Sequence, residues 1–134
     1  MMATSLYQPS ASFVAYGLER FVIQNWWTDY RGPILIHAAK TKMNKADCAL
    51  AAKIFRSADW RWKFAVPYGA FVCIVDLQFC LPAAAAGCFV WELANVRRIV
   101  DPVEARGRPR FWDYDVVNIG ETVDVAQINA GRVA

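Results

Sequence analysis

The stretch Tyr30-Arg31-Gly32-Pro33-Ile34-Leu35-Ile36-His37-Ala38-Ala39-Lys40, preceded by Trp26 and Trp27, decides how this chain is read. A polar, aromatic turn carrying an arginine feeds directly into a short apolar run rich in β-branched residues. That is the pattern of a loop entering a buried strand, and it sets stacking and phosphate-pairing groups at the mouth of a small β domain. Successive side chains of an extended segment point opposite ways, so one tryptophan of the pair is expected in the core and the other at least partly exposed. Arg31 admits two roles: pairing with a phosphate or stacking on a base, or hydrogen-bonding loop carbonyls and locking the turn. His37, among apolar neighbours, reads as a core histidine donating to a backbone carbonyl; a general base there would need substrate access and an orienting partner.

Working outward, residues 10 to 17 read as a short helix, with Ser10 as N-cap after Pro9 and Gly17 as its stop. Residues 20 to 24 form a first strand and Ile34 to Ala38 a second. Asn44 to Ser57 is the best helix, capped by Asn44, with Leu50, Ile54 and the alanines facing the core. Ala70 to Leu77, Phe79 to Leu81, Phe89 to Leu93 and Arg110 to Tyr114 are strand-like, with a loop from Pro82 to Gly87. Asp76 is either a strand-end acid or part of a buried polar network. After Asp115, Val116-Val117 and Val123-Asp124-Val125 alternate as an edge strand would, and the last residues read as loose. The expected organisation is one domain over residues 1–115 and a tail over 116–134.

The central motif resembles that of the ASCH family, small β-barrels of the PUA-like superfold associated with RNA: a tryptophan, a short spacer, Tyr-Arg-Gly, then a strand ending Ile-His-Ala. Leu6-Tyr7-Gln8-Pro9 followed by Gly17 is similar to the family's opening helix. Pro67-Tyr68-Gly69-Ala70, Trp91-Glu92-Leu93-Ala94-Asn95-Val96-Arg97 and Arg106-Gly107-Arg108-Pro109-Arg110-Phe111-Trp112 resemble its later elements, in order from residue 6 to residue 112. The resemblance implies an α+β fold, a small mixed β-barrel of the PUA-like/ASCH type with two flanking helices. The family also carries Gly-x-Lys-x-x-Glu-x-Arg before the tryptophan. Here that register starts at Gly17, and Glu19, Val22 and Gln24 replace its lysine, glutamate and arginine. Some small family members are amidohydrolases acting on acetylated cytidine through lysine, threonine and glutamate. That chemistry does not carry over to this register, although Lys40, Thr41 and Glu19 could reassemble a comparable trio.

Composition narrows the classes. The chain has 134 residues, enough for one self-sufficient core, and 57% are hydrophobic. The one candidate for a membrane segment, Phe64 to Trp91, is interrupted by Pro67, Gly69, Asp76, Pro82 and Gly87 and reads better as two strands and a connection. No signal peptide is evident. Cys48, Cys73, Cys80 and Cys88 make no Cys-x-x-Cys pair, and the sole histidine is His37, so no zinc site and no cofactor are expected. Free thiols and the absence of a leader suit a cytoplasmic location. Net charge is +3, unevenly spread. Residues 40 to 63 hold seven bases against two acids, residues 97 to 110 hold five arginines against Asp101 and Glu104, and the tail from Asp113 holds four acids against Arg132. A basic middle suits a polyanion binder and equally a solvated helix.

The candidate site is a cleft bordered by Gln8, Gln24, Trp26, Tyr30, Arg31 and Lys40. Arg31 and Lys40 would engage phosphate, an aromatic would stack the base, and Gln24 would read an edge. A second surface is Trp60-Arg61-Trp62-Lys63, where Arg61 would join the binding set; aromatics interleaved with cations suit single-stranded RNA. Ser5, Ser10, Ser12 and Ser57 read as caps or loop residues away from His37, which leaves nucleophilic catalysis without a motif. The expected partner is RNA or a modified nucleotide, with no membrane and no metal, and a protein partner as a further option. The alternatives are a small hydrolase of a nucleoside or RNA with a rearranged catalytic set, and a degenerate domain serving as a protein-interaction module.

Overall fold

The computed structural model describes residues 1–58 and 66–128, and its architecture is a curled mixed sheet forming a half-barrel with helices against it. The strands are β1 (Met2–Leu6), β2 (Phe21–Gln24), β3 (Gly32–Ala38), β4 (Ala70–Pro82), β5 (Phe89–Glu104), β6 (Trp112–Asp113) and β7 (Thr122–Asp124). The helices are α1 (Ser10–Ala15) and α2 (Lys45–Ala58). Sheet order is β2-β5-β4-β3-β1-β6, with β7 pairing the far half of β5.

The apolar run after Gly32 is continuous because β3 lies inside the sheet and is covered on both faces. It pairs in parallel with β1 and antiparallel with β4. Its period-2 alternation divides two cores. Ile34, Ile36 and Ala38 pack with Leu6, Val14, Val72, Val75, Leu77, Trp91 and Leu93, whereas Leu35 packs with Ala3, Phe71 and Ile99. Trp26 seals the larger core, its ring edge-on to Trp91 at 4.7 Å and to Phe111 at 4.8 Å, while Trp27 is 52% exposed. The expected division of the tryptophan pair is therefore observed.

Several local expectations are corrected. Residues 2–6 form a strand, β1, inserted between β3 and β6. Ala3, Thr4 and Leu6 are buried on both sides of it, so no polar alternation marked it. The two expected segments over 70–81 are one strand, β4, whose pairing with β5 shifts register at three places. β5 runs on to Glu104 through Arg97, Arg98 and Asp101, since its outer half is half-exposed and tolerates charge. Asp76 is a half-buried acid within β4, not at a strand end, and it accepts from Arg97 at 3.0 Å and from Asn95 at 3.0 Å. Val116–Asn118 is a turn of 3-10 helix, whereas the Val123-Asp124 region supplies β7 as an edge strand. The expected loose end at 129–134 lies outside the described residues.

The helices follow the same logic. Asn44 caps α2, its Oδ1 accepting from Asp47 N at 2.8 Å. Leu50, expected inward, is 46% exposed; Ala51 and Phe55 make the buried stripe instead, the Phe55 ring packing tilted against Phe13 of α1 at 5.0 Å and edge-on to Tyr16 at 5.7 Å. Ser10 does not cap α1. Gln8 does that work: its Oε1 accepts from Ser12 N at 3.0 Å, and its Nε2 donates to Ser12 Oγ and to Pro67 O, both at 2.8 Å. Gly17, at φ +73°, ends the turn as expected.

Candidate nucleic-acid interface

Parallel pairing of β1 with β3 brings the C-terminal ends of both strands to one end of the half-barrel. There a cleft of about 1260 Å³ opens, walled by the ends of β1 and β3, the end of β2, and the segment 104–110 that leaves β5. Of the expected site residues, Gln24, Trp26 and Lys40 line this cleft. Lys40 is exposed, its stem laid against Gly69, where an added Cβ would meet Lys40 Cγ at 3.0 Å. Gly69 has φ +65°, so this position favours glycine for its conformation as well as for the lysine's room. Gln24 Nε2 is a buried donor with no hydrogen-bond partner among the described residues, a group that a ligand's acceptor would satisfy.

The remaining expected residues sit elsewhere. Gln8 is buried, its amide spent on the α1 clasp. Tyr30 packs against Phe111 at 5.5 Å and donates its hydroxyl to Pro33 O at 2.7 Å. Arg31 directs Nη1 to Thr28 O at 3.0 Å and Tyr30 O at 2.8 Å, the turn-locking alternative. Neither Tyr30 nor Arg31 is among the residues lining the cleft. Arg61, with Trp60, Trp62 and Lys63, lies outside the described residues.

The arginines of the cleft come from a segment that the sequence marked as basic and as resembling a late family element, but not as part of the site. Arg106, Arg108 and Arg110 are exposed and line one wall, with Glu104 as the only cleft carboxylate among the described residues. Arg106 and Arg108 alternate with Gly107, and all three arginines reach the cleft although the chain bends at Pro109 and Arg110. Arg110 has φ +54°, uncommon for a residue with a side chain, and its guanidinium lies over the Trp26 ring at 5.8 Å. Tyr7, 69% exposed, adds an aromatic side chain to the cleft lining. The signal that would have found them was the arginine alternation in Arg106-Gly107-Arg108-Pro109-Arg110 and the tyrosine that directly follows a strand.

The cleft floor holds a polar pair that sequence reading placed apart. Ser5 stands opposite His37 in the β1–β3 register, and its Oγ lies 2.9 Å from His37 Nδ1. His37 Nε2 donates to Ala105 O at 2.7 Å, which fixes Nδ1 as the acceptor for the Ser5 hydroxyl. His37 is buried as expected, and burial depresses its pKa below the ordinary histidine value; the hydrogen bond to the Ala105 carbonyl opposes this, and the charge of Lys40 adds a smaller lowering. Ser5 is therefore a strand residue bonded to the sole histidine, a correction to the cap-or-loop assignment. Glu19 is not in the cleft; its carboxyl is half-buried and hydrogen-bonded to Ser10, burial raising its pKa above the usual range. Among the described residues, no cluster of three or more metal-ligating side chains occurs, and no helix is long and apolar enough to cross a membrane. The cysteines among them are free, and burial drives the Cys73 thiol well above its ordinary pKa.

This fold, with its order of strands and its turn-to-strand motif, is that of a small α+β barrel of the PUA-like/ASCH type. No family model matches the sequence. Human activating signal cointegrator 1 is 25% identical over 126 residues, and the mouse protein of the same name 24%; each alignment covers 83% of this chain. The chain spans 22% of the length of these curated relatives. The similarity agrees with the ASCH-type reading of the motifs.

Proposed function

We propose that this domain binds RNA or a modified nucleotide in the cleft between Tyr7, Gln24, Trp26, Lys40 and the arginines of 106–110. The observation that carries the reading is the cleft lining: Arg106, Arg108, Arg110 and Lys40, four cations against Glu104 alone among the described residues, together with the unpartnered Gln24 Nε2. Guanidinium groups pair with phosphate oxygens and stack on bases, Tyr7 offers a second stacking face, and Gln24 donates to a base edge. The likeness to the cointegrators supports a nucleic-acid-related role for this ASCH-type domain. The register that serves amidohydrolysis in some ASCH proteins holds Glu19 and Val22, and Val22 is buried in the apolar core, so we infer that acetylated cytidine is not a substrate. Fluorescence anisotropy with a short single-stranded RNA tests the reading: binding should be tight at low salt and weaken with a steep log–log slope as salt rises. Absence of binding at low ionic strength, or binding indifferent to replacement of Arg106 and Arg108, would refute it.

A second reading, a protein-interaction module, has one observation in its favour. Phe21 and Ile23 of β2 and Phe79 and Leu81 of β4 flank the same β5 residues, Glu92 and Val90, and are each at least half exposed. They make one apolar patch that borders the cleft at Ile23. A photo-crosslinker at position 79 that couples to a second polypeptide, with RNA affinity unchanged, would support it.

A further inference from the structure

Ser5 and His37 have a relation that ligand binding does not use. The imidazole is fixed at both nitrogens, Nε2 by the Ala105 carbonyl at 2.7 Å and Nδ1 by the Ser5 hydroxyl at 2.9 Å. Both residues line the open cleft, and Ser5 is partly exposed while the imidazole is sheltered beneath it. The segment after β5 passes close over them at one position: a Cβ on Gly107 would stand 3.0 Å from Ser5 Oγ, 2.9 Å from His37 Cε1 and 3.1 Å from Nδ1. Glycine there lets the segment approach without a side chain filling the space beside the hydroxyl, and Ser5 keeps its partial exposure to the cleft. An oriented base, a hydroxyl in hydrogen-bond reach, and a carbonyl holding the base in its tautomer make the arrangement of an activated nucleophile.

We propose that Ser5 and His37 form a nucleophile–base pair that hydrolyses carboxylic esters whose alcohol portion carries phosphate. Ser5 Oγ attacks the ester carbonyl carbon as its proton passes to His37 Nδ1. The bond from that carbon to the alcohol oxygen breaks, and the alcohol leaves with the proton from Nδ1, so the acyl group stays on Ser5. Water then adds to the acyl carbon, giving its proton to Nδ1, and Ser5 Oγ departs with that proton as the carboxylic acid is released. Lys40, on the same cleft wall, is the cation available to the developing oxyanion, and Arg106 and Arg108 face the phosphate. The Ala105 carbonyl holds the imidazole in place of the carboxylate that often does so.

The test uses an alkyl fluorophosphonate, which phosphonylates an activated serine and carries neither base nor nucleotide. Its outcome is thus separable from that of RNA binding. Mass spectrometry of the labelled full chain should place the adduct on Ser5. The adduct should vanish in Ser5→Ala and His37→Gln and persist in Lys53→Ala on the exposed face of α2. With adenosine monophosphate acetylated on its ribose, acetate release should fall by about 100-fold or more in Ser5→Ala. If His37→Gln does not fold, the pH dependence of labelling replaces it: the rate should follow deprotonation of one group titrating below 6.5, the ordinary histidine value. A folded wild-type chain that takes no adduct on Ser5, or takes it equally in His37→Gln, overturns the assignment. So does labelling without ester turnover.

Discussion

The turn from Trp26 to Gly32 and the segment from Arg106 to Arg110 both set arginine beside an aromatic ring, yet they use those groups in opposite ways. In the turn, Thr28, Tyr30 and Arg31 spend their polar groups on the turn's own backbone. Arg31 donates to Thr28 O and Tyr30 O, the Tyr30 hydroxyl donates to Pro33 O, and Thr28 Oγ1 accepts from Tyr30 N at 3.1 Å. In the segment, Arg106 and Arg108 have neither a hydrogen bond nor an ion pair among the described residues, and Arg110 touches Trp26 only through its ring face. The strongest motif in the sequence therefore builds the entrance to the strand, and a weaker motif builds the surface that meets solvent. A local motif with many internal partners is legible because its spacing is fixed by its own bonds, and the same bonds remove it from ligand chemistry.

The contrast breaks most visibly if the arginines of the segment are removed. Replacing Arg106, Arg108 and Arg110 together with alanine should lower RNA affinity by about 100-fold at low salt and flatten the salt slope by roughly two phosphate contacts. The thermal midpoint should hardly move, because exposed cations add little to stability. An unchanged affinity would return the phosphate contacts to the turn, as the sequence alone suggested.

Gly107→Ala probes the other role of the segment. The added methyl would stand within about 3 Å of Ser5 Oγ and the His37 ring, so either the segment lifts or the Ser5–His37 bond lengthens. Overpacking of this kind costs about 1–3 kcal/mol, readable as a lowered urea midpoint. A midpoint equal to wild type would mean that the segment rides freely over the cleft floor.

Arg31→Ala should have the smaller effect of a turn residue. Losing two partly exposed hydrogen bonds to loop carbonyls should reduce stability by about 1 kcal/mol, while RNA affinity stays within about twofold of wild type. A tenfold loss of affinity with an unchanged urea midpoint would reverse the comparison and make Arg31 the phosphate ligand that its place in the motif suggests.

The parts legible in the sequence are those where neighbours along the chain decide the structure. The β3 run, the divided fate of Trp26 and Trp27, the burial of His37 and the Asn44 cap all follow from local pattern. What escaped depends on pairing between distant residues. Ser5 faces His37 only because β1 and β3 run parallel, and parallel pairing of strands 32 positions apart leaves no local mark. β1 itself, buried on both faces, lacks alternation, and Leu50 turned outward because the helix is held by Phe55 on the Phe13 ring rather than by its most apolar stripe. Gln8 looked like a ligand group for the same reason: only the fold shows its amide spanning Ser12 and Pro67.

The smallest effect concerns acidity and separates the cleft floor from the α1 border. Burial holds His37 below its ordinary pKa of 6.5, so on acidification the unfolded chain takes up the proton first and the folded state loses stability as pH drops below 6.5. Glu19 acts in the opposite sense. Burial raises its pKa above 4.5, so the folded state binds the proton first, and stability is gained as pH falls from above that raised value toward 4.5. The two trends oppose each other where their windows overlap, and wild-type midpoints should therefore decline only shallowly below pH 6.5. Glu19→Gln removes the compensating group without touching the cleft, and its urea midpoint should fall more steeply than wild type over the same range. Protonation takes place at His37 Nδ1, the nitrogen that accepts from Ser5, while Nε2 keeps its donation to Ala105. Wild type and Glu19→Gln midpoints running parallel across this range would show that the Glu19 carboxyl titrates as a solvated group, and the pH response would then belong to the cleft floor alone.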